Sequence, residues 1–208
     1  MTRTPVLGVF AAALPYCLAL PATAQEEALV GALEPVNGAE TGQDPTGDVR
    51  ITREGGTVTI SMTIDGLTPG MHLAHIHGYA ESDPQEAACA GPAADENGDG
   101  FVDLIETRAV SGVTLVPLTD DPASLTLMSE SYPTASDEGR ATFETTVEAA
   151  ALEEALQAEL STPLALERRV IYVHGVPEDL ALPDSVRSLE GVAAHVTLPV
   201  ACAELETE

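Results

Sequence analysis

The chain has 208 residues, with 34 acidic side chains against 8 basic ones and a formal net charge of -26. That balance excludes nucleic-acid binding by phosphate neutralisation. Apolar residues make up 44% and charged residues only 20%, so one sizeable core can form and a solvated acidic tail is not expected. No repeat, low-complexity linker or second-domain boundary interrupts the chain.

Residues 1–24 have the pattern of a secretory signal: Arg3, an apolar stretch from Val6 to Leu20, and Ala22-Thr23-Ala24 ahead of Gln25. The stretch is shorter than the ~20 residues of a spanning helix and is punctuated by Pro5, Pro15 and Pro21. The expectation is an exported protein, periplasmic or extracellular, with one domain over 25–208 and no membrane span in the mature chain. Cys17 follows the bulky Tyr16, which argues against lipid attachment. Cys89 and Cys202 remain, and in an oxidising compartment an even pair points to one disulfide.

Alternation dominates the mature sequence. Val58, Ile60, Met62 and Ile64 interleave with Thr57, Thr59, Ser61 and Thr63, which predicts a half-buried strand. Similar runs fall near Ala28–Leu33, Val49–Thr52, Met71–Tyr79, Val110–Leu118, Ala141–Val147, Val170–His174 and Val192–Cys202, separated by turns such as Glu54-Gly55-Gly56. These predict an all-β sandwich or barrel. One segment differs: Glu148–Leu160 places Leu152, Leu156 and Leu160 at helical spacing and predicts a short helical insert.

Five histidines lie after residue 24, three of them in Met71-His72-Leu73-Ala74-His75-Ile76-His77. Strand parity puts His75 and His77 on one face and His72 on the other, with Ala74 and Ile76. Two imidazoles two residues apart on a strand make a bidentate metal clamp, and they are equally compatible with two surface histidines. A third ligand decides between these readings. His174, at the end of Val170-Ile171-Tyr172-Val173, is the candidate, and three neutral imidazoles suit copper or zinc. His195 is a minor candidate for a fourth ligand if its strand is regular.

The stretch Gly66-Leu67-Thr68-Pro69-Gly70-Met71-His72-Leu73-Ala74-His75-Ile76-His77 resembles the copper-site strand of the copper/zinc superoxide dismutases, Gly-Leu-Thr-x-Gly-Leu-His-x-x-His-x-His. Ala28–Leu33, Pro35-Val36-Asn37-Gly38, Ser136–Ala141, Val173-His174 with Glu178-Asp179-Leu180, and Leu198–Cys202 extend the resemblance over most of the mature chain. It implies a Greek-key, immunoglobulin-like β-sandwich of that type. It also implies copper on His75, His77 and His174, a structural His72 bonded to backbone, Glu178 as an outer carboxylate, and a Cys89–Cys202 bridge. Departures from the family pattern limit how far its activity carries over. Ala90-Gly91-Pro92-Ala93 has alanine where the family has the histidine that bridges copper and zinc, no histidine lies between His77 and His174, and Pro199 stands where the family has its anion-guiding arginine. No zinc is therefore expected.

Asp95-Glu96-Asn97-Gly98-Asp99-Gly100-Phe101-Val102-Asp103-Leu104-Ile105-Glu106 fits the twelve-residue calcium-loop pattern. Oxygens would come from Asp95, Asn97, Asp99, the Phe101 carbonyl, Asp103 and a bidentate Glu106, with Gly100 at the turn. Flanking helices are not expected. The expected function is that of an exported, superoxide dismutase-like copper protein with weak superoxide dismutation or none, carrying calcium where zinc would have been. The alternatives are a non-enzymatic copper-handling protein of the cell envelope and an adhesive β-domain, since Ala74–Gly78 also resembles chordin-like bacterial domains. Metal ions are the expected partners, superoxide a potential substrate, and nucleic acid is not expected.

Overall fold

The computed structural model describes residues 27–208; the signal expected at 1–24 lies outside the described residues. In chain order the elements are β1 (Glu27–Pro35), α1 (Gly38–Thr41), β2 (Thr46–Glu54), β3 (Thr57–Asp65), β4 (Gly70–Met71), β5 (Leu73–Gly78), α2 (Arg108–Ser111), β6 (Val113–Pro117), β7 (Thr134–Ala135), β8 (Ala141–Glu148), α3 (Ala149–Leu160), β9 (Val170–His174), α4 (Ala194–Thr197), β10 (Pro199–Glu204) and β11 (Glu206–Thr207). The fold is all-β. One antiparallel sheet runs β6-β5-β9-β10-β1-β2-β3-β8 and curls on itself as a sandwich or half-barrel, with β11 beside β1, and β4 and β7 pair as a separate two-stranded sheet.

Local chemistry explains the layers. In β3, Val58, Ile60, Met62 and Ile64 are buried while the intervening residues are half-exposed, the alternation of a strand with one wet face. Its hairpin with β2 closes at Gly55-Gly56, both at positive φ. A two-residue turn with that geometry matches the right-handed twist of the flanking strands, which is why glycine occupies both places. By contrast β9 is buried along its whole length, so Val170-Ile171-Tyr172-Val173 reads as a continuous apolar run. Ile171 and Val173 join Ala74, Ile76, Ile60, Val200 and the other residues of the main core. Val170 and Tyr172 face the other way, into a smaller cluster with Val36, Ala87, Ala90, Val102 and Cys202.

That second cluster is built by the long connection after β5. Cys89, within it, is joined to Cys202 of β10 by a disulfide spanning 113 residues. The Tyr172 hydroxyl accepts from the Ala90 amide at 2.8 Å and bonds to Ser111 Oγ, which donates to Ala88 O at 2.7 Å. The loop is thus fastened over the outer face of β5 and β9 by a covalent bond and a chain of buried hydrogen bonds.

The helical insert forms as α3, with Leu152 and Leu156 buried against the core. Below it, the fully buried Arg169 donates to Leu164 O, Tyr79 O, Thr162 Oγ1 and Pro163 O, tying residues 162–168 to the end of β5. Two strand expectations are corrected. Val192–Cys202 is not one strand: α4 takes Ala194–Thr197 and only Pro199–Glu204 is extended. Val110–Leu118 begins in α2 and becomes extended only at Val113.

Candidate metal centre

Register brings the histidines together. In the β5–β9 pair, His75 lies opposite Tyr172, His77 opposite Val170 and His174 opposite Leu73. Directly opposed residues of an antiparallel pair share a face. His75, His77 and His174 therefore project from the same side, away from Ala74, Ile76, Ile171 and Val173. One potential ligand nitrogen from each of the three lies within 4.8 Å of the others. The rings are buried, at 5%, 1% and 1% exposure respectively.

Outer partners fix which nitrogen is free. His174 Nδ1 donates to Thr197 O at 2.9 Å. His75 Nε2 meets the Tyr132 hydroxyl at 2.9 Å, and that hydroxyl donates onward to Leu127 O, so it accepts from the ring. His77 Nε2 bonds to Thr114 Oγ1 at 3.2 Å, from the residue it faces across the β5–β6 pair. What remains is His75 Nδ1, His77 Nδ1 and His174 Nε2, three buried nitrogens with no hydrogen-bond partner. A buried polar atom without a partner costs roughly 1–3 kcal/mol. The outer bonds leave lone pairs on His75 Nδ1 and His174 Nε2, and with His77 Nδ1 beside them the three buried nitrogens suit a soft or borderline cation held by imidazoles.

The residues around the three do not match every expectation. His72 lies between two backbone carbonyls, with Nε2 2.8 Å from Thr68 O and Nδ1 3.1 Å from His174 O, and the nitrogen that carries the proton donates to its carbonyl. Gly175 is at φ +117, a conformation that favours glycine, and a Cβ there would also crowd the His72 ring, at 3.2 Å from Nδ1. Glu178 is exposed, and the outer nitrogens of the three histidines are taken instead by Tyr132, Thr114 and Thr197; the expected outer carboxylate is corrected to a hydroxyl and carbonyl set. His195 sits in α4, not on a strand, and its Nε2 bonds to Leu180 O at 2.8 Å. It is not a member of the cluster. Tyr132 carries no sequence signal of its role, because it comes from a long irregular connection without periodicity.

Burial sets the electrostatics. Removal from water holds His75 and His77 well below the ordinary imidazole value of 6.5, and the neighbouring His174 lowers both further. The same effect lowers His174 to about 4, partly offset by its bond to Thr197 O. The unfolded chain takes up these protons near 6.5 while the fold refuses them, so the unfolded state binds more protons between 6.5 and about 4. These rings therefore cost the metal-free fold nothing above 6.5 and progressively weaken it as pH falls toward about 4, roughly 3 kcal/mol for His174 alone. Ring-resonance titration of the metal-free protein should place the His174 midpoint near 4; a midpoint at 6.5 would contradict the dry, neutral site.

Tyr132 positions the His75 ring. Replacing it with phenylalanine leaves His75 Nε2 unpartnered and should lower the affinity of the three histidines for a metal ion about tenfold, the low end for loss of such a partner. A competitive chelator titration checks this, and an unchanged affinity would count against the role.

The acidic loop runs between a three-residue turn at Pro92–Ala94 and the four-residue α2, and its Leu104 lines the cavity that has His75 and His174 in its wall. Asp95 accepts from the Gly98, Asp99 and Gly100 amides, Asn97 from the Asp99 amide, and Asp99 from the Phe101 amide and Ser185 Oγ. Asp103 and Glu106 are buried. Arg187, from a distant segment, reaches Asp103 at 3.0 Å and Glu106 at 3.3 Å, a contact the sequence pattern does not reveal.

No family model matches the chain, and no curated protein matches it. Among solved structures it is similar to the Cu/Zn superoxide dismutase from Brucella abortus, at 19% identity and a TM-score of 0.46, over 86% of this chain and 100% of that one. Among the described residues no helix is long and apolar enough to cross a membrane.

Proposed function

We propose that the protein is an exported, superoxide dismutase-like copper protein that holds one copper ion on His75 Nδ1, His77 Nδ1 and His174 Nε2. The observation that carries this reading is that three buried histidines each bring a potential ligand nitrogen within 4.8 Å of the others, and that each also has one buried ring nitrogen with no hydrogen-bond partner. The His-x-x-His-x-His run and the distant Val173-His174 give it independent support from sequence. Bound copper would supply one-electron exchange, the chemistry of superoxide dismutation. The chain's own part is to hold the rings neutral, fix their orientation through Tyr132, Thr114 and Thr197, and keep water from the inner nitrogens.

Dismutation is proposed to be weak or absent, and a non-enzymatic copper-handling role is the second reading. Pro199 offers no guanidinium at the position of the family's arginine, and a net charge of -26 opposes the approach of an anion. The cavity in front of His75 and His174 favours handling: Met71, Leu73, Leu127, Met128 and Val196 dominate its wall and no cationic side chain lines it, while Arg108 lines the adjoining cavity that reaches His77. Superoxide decay measured on copper-loaded protein separates the readings: a rate no faster than that of copper on a simple chelator means carriage. Metal analysis of protein purified without chelators tests the binding itself, with copper near one equivalent, and zinc absent, as the expected result.

The reading includes calcium on Asp95, Asn97, Asp99, the Phe101 carbonyl, Asp103 and Glu106, with Arg187 as a built-in competitor for the last two carboxylates. Calcium at a hundredfold excess over its dissociation constant would contribute about 2.7 kcal/mol, or a rise in Tm of about 5–10 °C. A Tm indifferent to chelation and calcium add-back would rule out calcium on this loop.

A further inference from the structure

In an acid-rich chain, exposed apolar surface is concentrated at one place. The exposed large apolar side chains among the described residues are Met71, Val110, Val113, Leu127, Met128 and Val196. Four of them, Met71, Leu127, Met128 and Val196, line one cavity of about 270 Å³ that has His75 and His174 in its wall. Leu127 and Val113 line an adjoining cavity of about 170 Å³ that reaches His77. Scattered singly, such residues would mean nothing; gathered at one mouth, they mark a functional surface.

The chemistry of that mouth is selective. Although the chain has 34 carboxylates, none lines either cavity. Calcium, magnesium and other hard cations drawn by the net charge find no anionic oxygen there. Beside the neutral hydroxyls of Thr114, Ser129 and Thr197, the soft donors ahead of the histidines are thioethers. Of the four methionines, Met1 lies outside the described residues and Met62 is buried in β3 at 3% exposure. The other two, Met71 and Met128, stand on the cavity rim at 48% and 80% exposure.

We propose that Met71 and Met128 form a receiving site for a monovalent soft ion, Cu(I), which passes from their thioethers to the bare nitrogens of His75 and His174. This rests on the reading that the three histidines hold copper. Uncharged sulfur ligands favour Cu(I) over calcium and magnesium, and the flexible, polarizable methionine side chain can adapt to an ion in the cavity it shares with His75 and His174. The transfer exchanges no electron and releases no proton from His75 Nδ1 or His174 Nε2, because both nitrogens carry free lone pairs. It also gives a role to Met128, an apolar side chain at 80% exposure.

Silver(I), a redox-inert stand-in for Cu(I), tests the proposal on metal-free protein carrying labelled methionine methyl groups. The methyl signals of Met71 and Met128 should move on titration, together with the His75 and His174 ring signals, while Met62 serves as the unmoved internal control. Ring signals that move while the Met71 and Met128 methyls stay fixed would overturn the receiving site and leave the histidine copper centre standing. If neither set moves, both fall. In the Met71→Leu, Met128→Leu double variant, which keeps volume and apolarity, Cu(I) uptake from a chelator should slow about tenfold, within the range of on-rate changes among variants of one site. Cu(II) uptake should be unchanged. Cu(I) uptake at the original rate would equally overturn the proposal.

Discussion

His174→Ala should lower copper affinity by more than about 100-fold, because loss of an outer partner alone costs 10–100-fold and this change removes a ligand outright. His174 Nε2 is one of the three unpartnered inner nitrogens, and the ring is held by Thr197 O from behind. His195→Ala is the matched control. That ring bonds to Leu180 O and lies outside the cluster, so its removal should leave copper affinity within a factor of about two. Competitive titration against a chelator reads both. Should the two variants behave alike, the centre is not where the unpartnered nitrogens place it. His174→Gln, which keeps a polar group of similar size in the site, guards against a result due to misfolding.

Removing the disulfide with Cys89→Ser and Cys202→Ser should cost about 4.7 kcal/mol in the chain-entropy model, since the bridge closes a loop of 113 residues. That is close to half the stability of an ordinary domain. The loss should be felt at the metal centre as well. Cys202 lies opposite Tyr172 in the β9–β10 pair, and the Tyr172 ring is 4.9 Å from that of His77 and holds the Ala90 amide beside Cys89. Urea unfolding should show a clearly lower midpoint with an unchanged slope, and copper affinity should fall as the loop loosens. A stability loss below about 1 kcal/mol would mean that the buried cluster around Tyr172 closes the loop without the bridge.

Much of the architecture is legible because it is written in local periodicity. Parity alone puts His75 and His77 on one face and His72 on the other, and the leucine spacing of α3 and the glycine pair of the β2–β3 turn need no tertiary information. The acidic loop is equally readable, since its Asx-type bonds join residues two to five apart. The features that escape sequence are decided at long range. The Val192–Leu198 segment alternates like a strand, but Thr197 O accepts from His174 and the Leu198 amide bonds back to Ala194 O, so one helical turn wins. Tyr132, Thr114 and Arg187 touch their partners 57, 37 and 84 residues away, a relation no spacing rule expresses. Glu178 shows the complementary error: the resemblance supplies a carboxylate, and here hydroxyl and carbonyl groups take its place.

X-ray absorption at the copper edge on stoichiometrically loaded protein tests the three-histidine centre most directly. The expected spectrum has a shell dominated by three imidazole nitrogens, lost on His174→Ala and preserved on His195→Ala. A shell made of carboxylate oxygens, or one indifferent to residue 174, would contradict it.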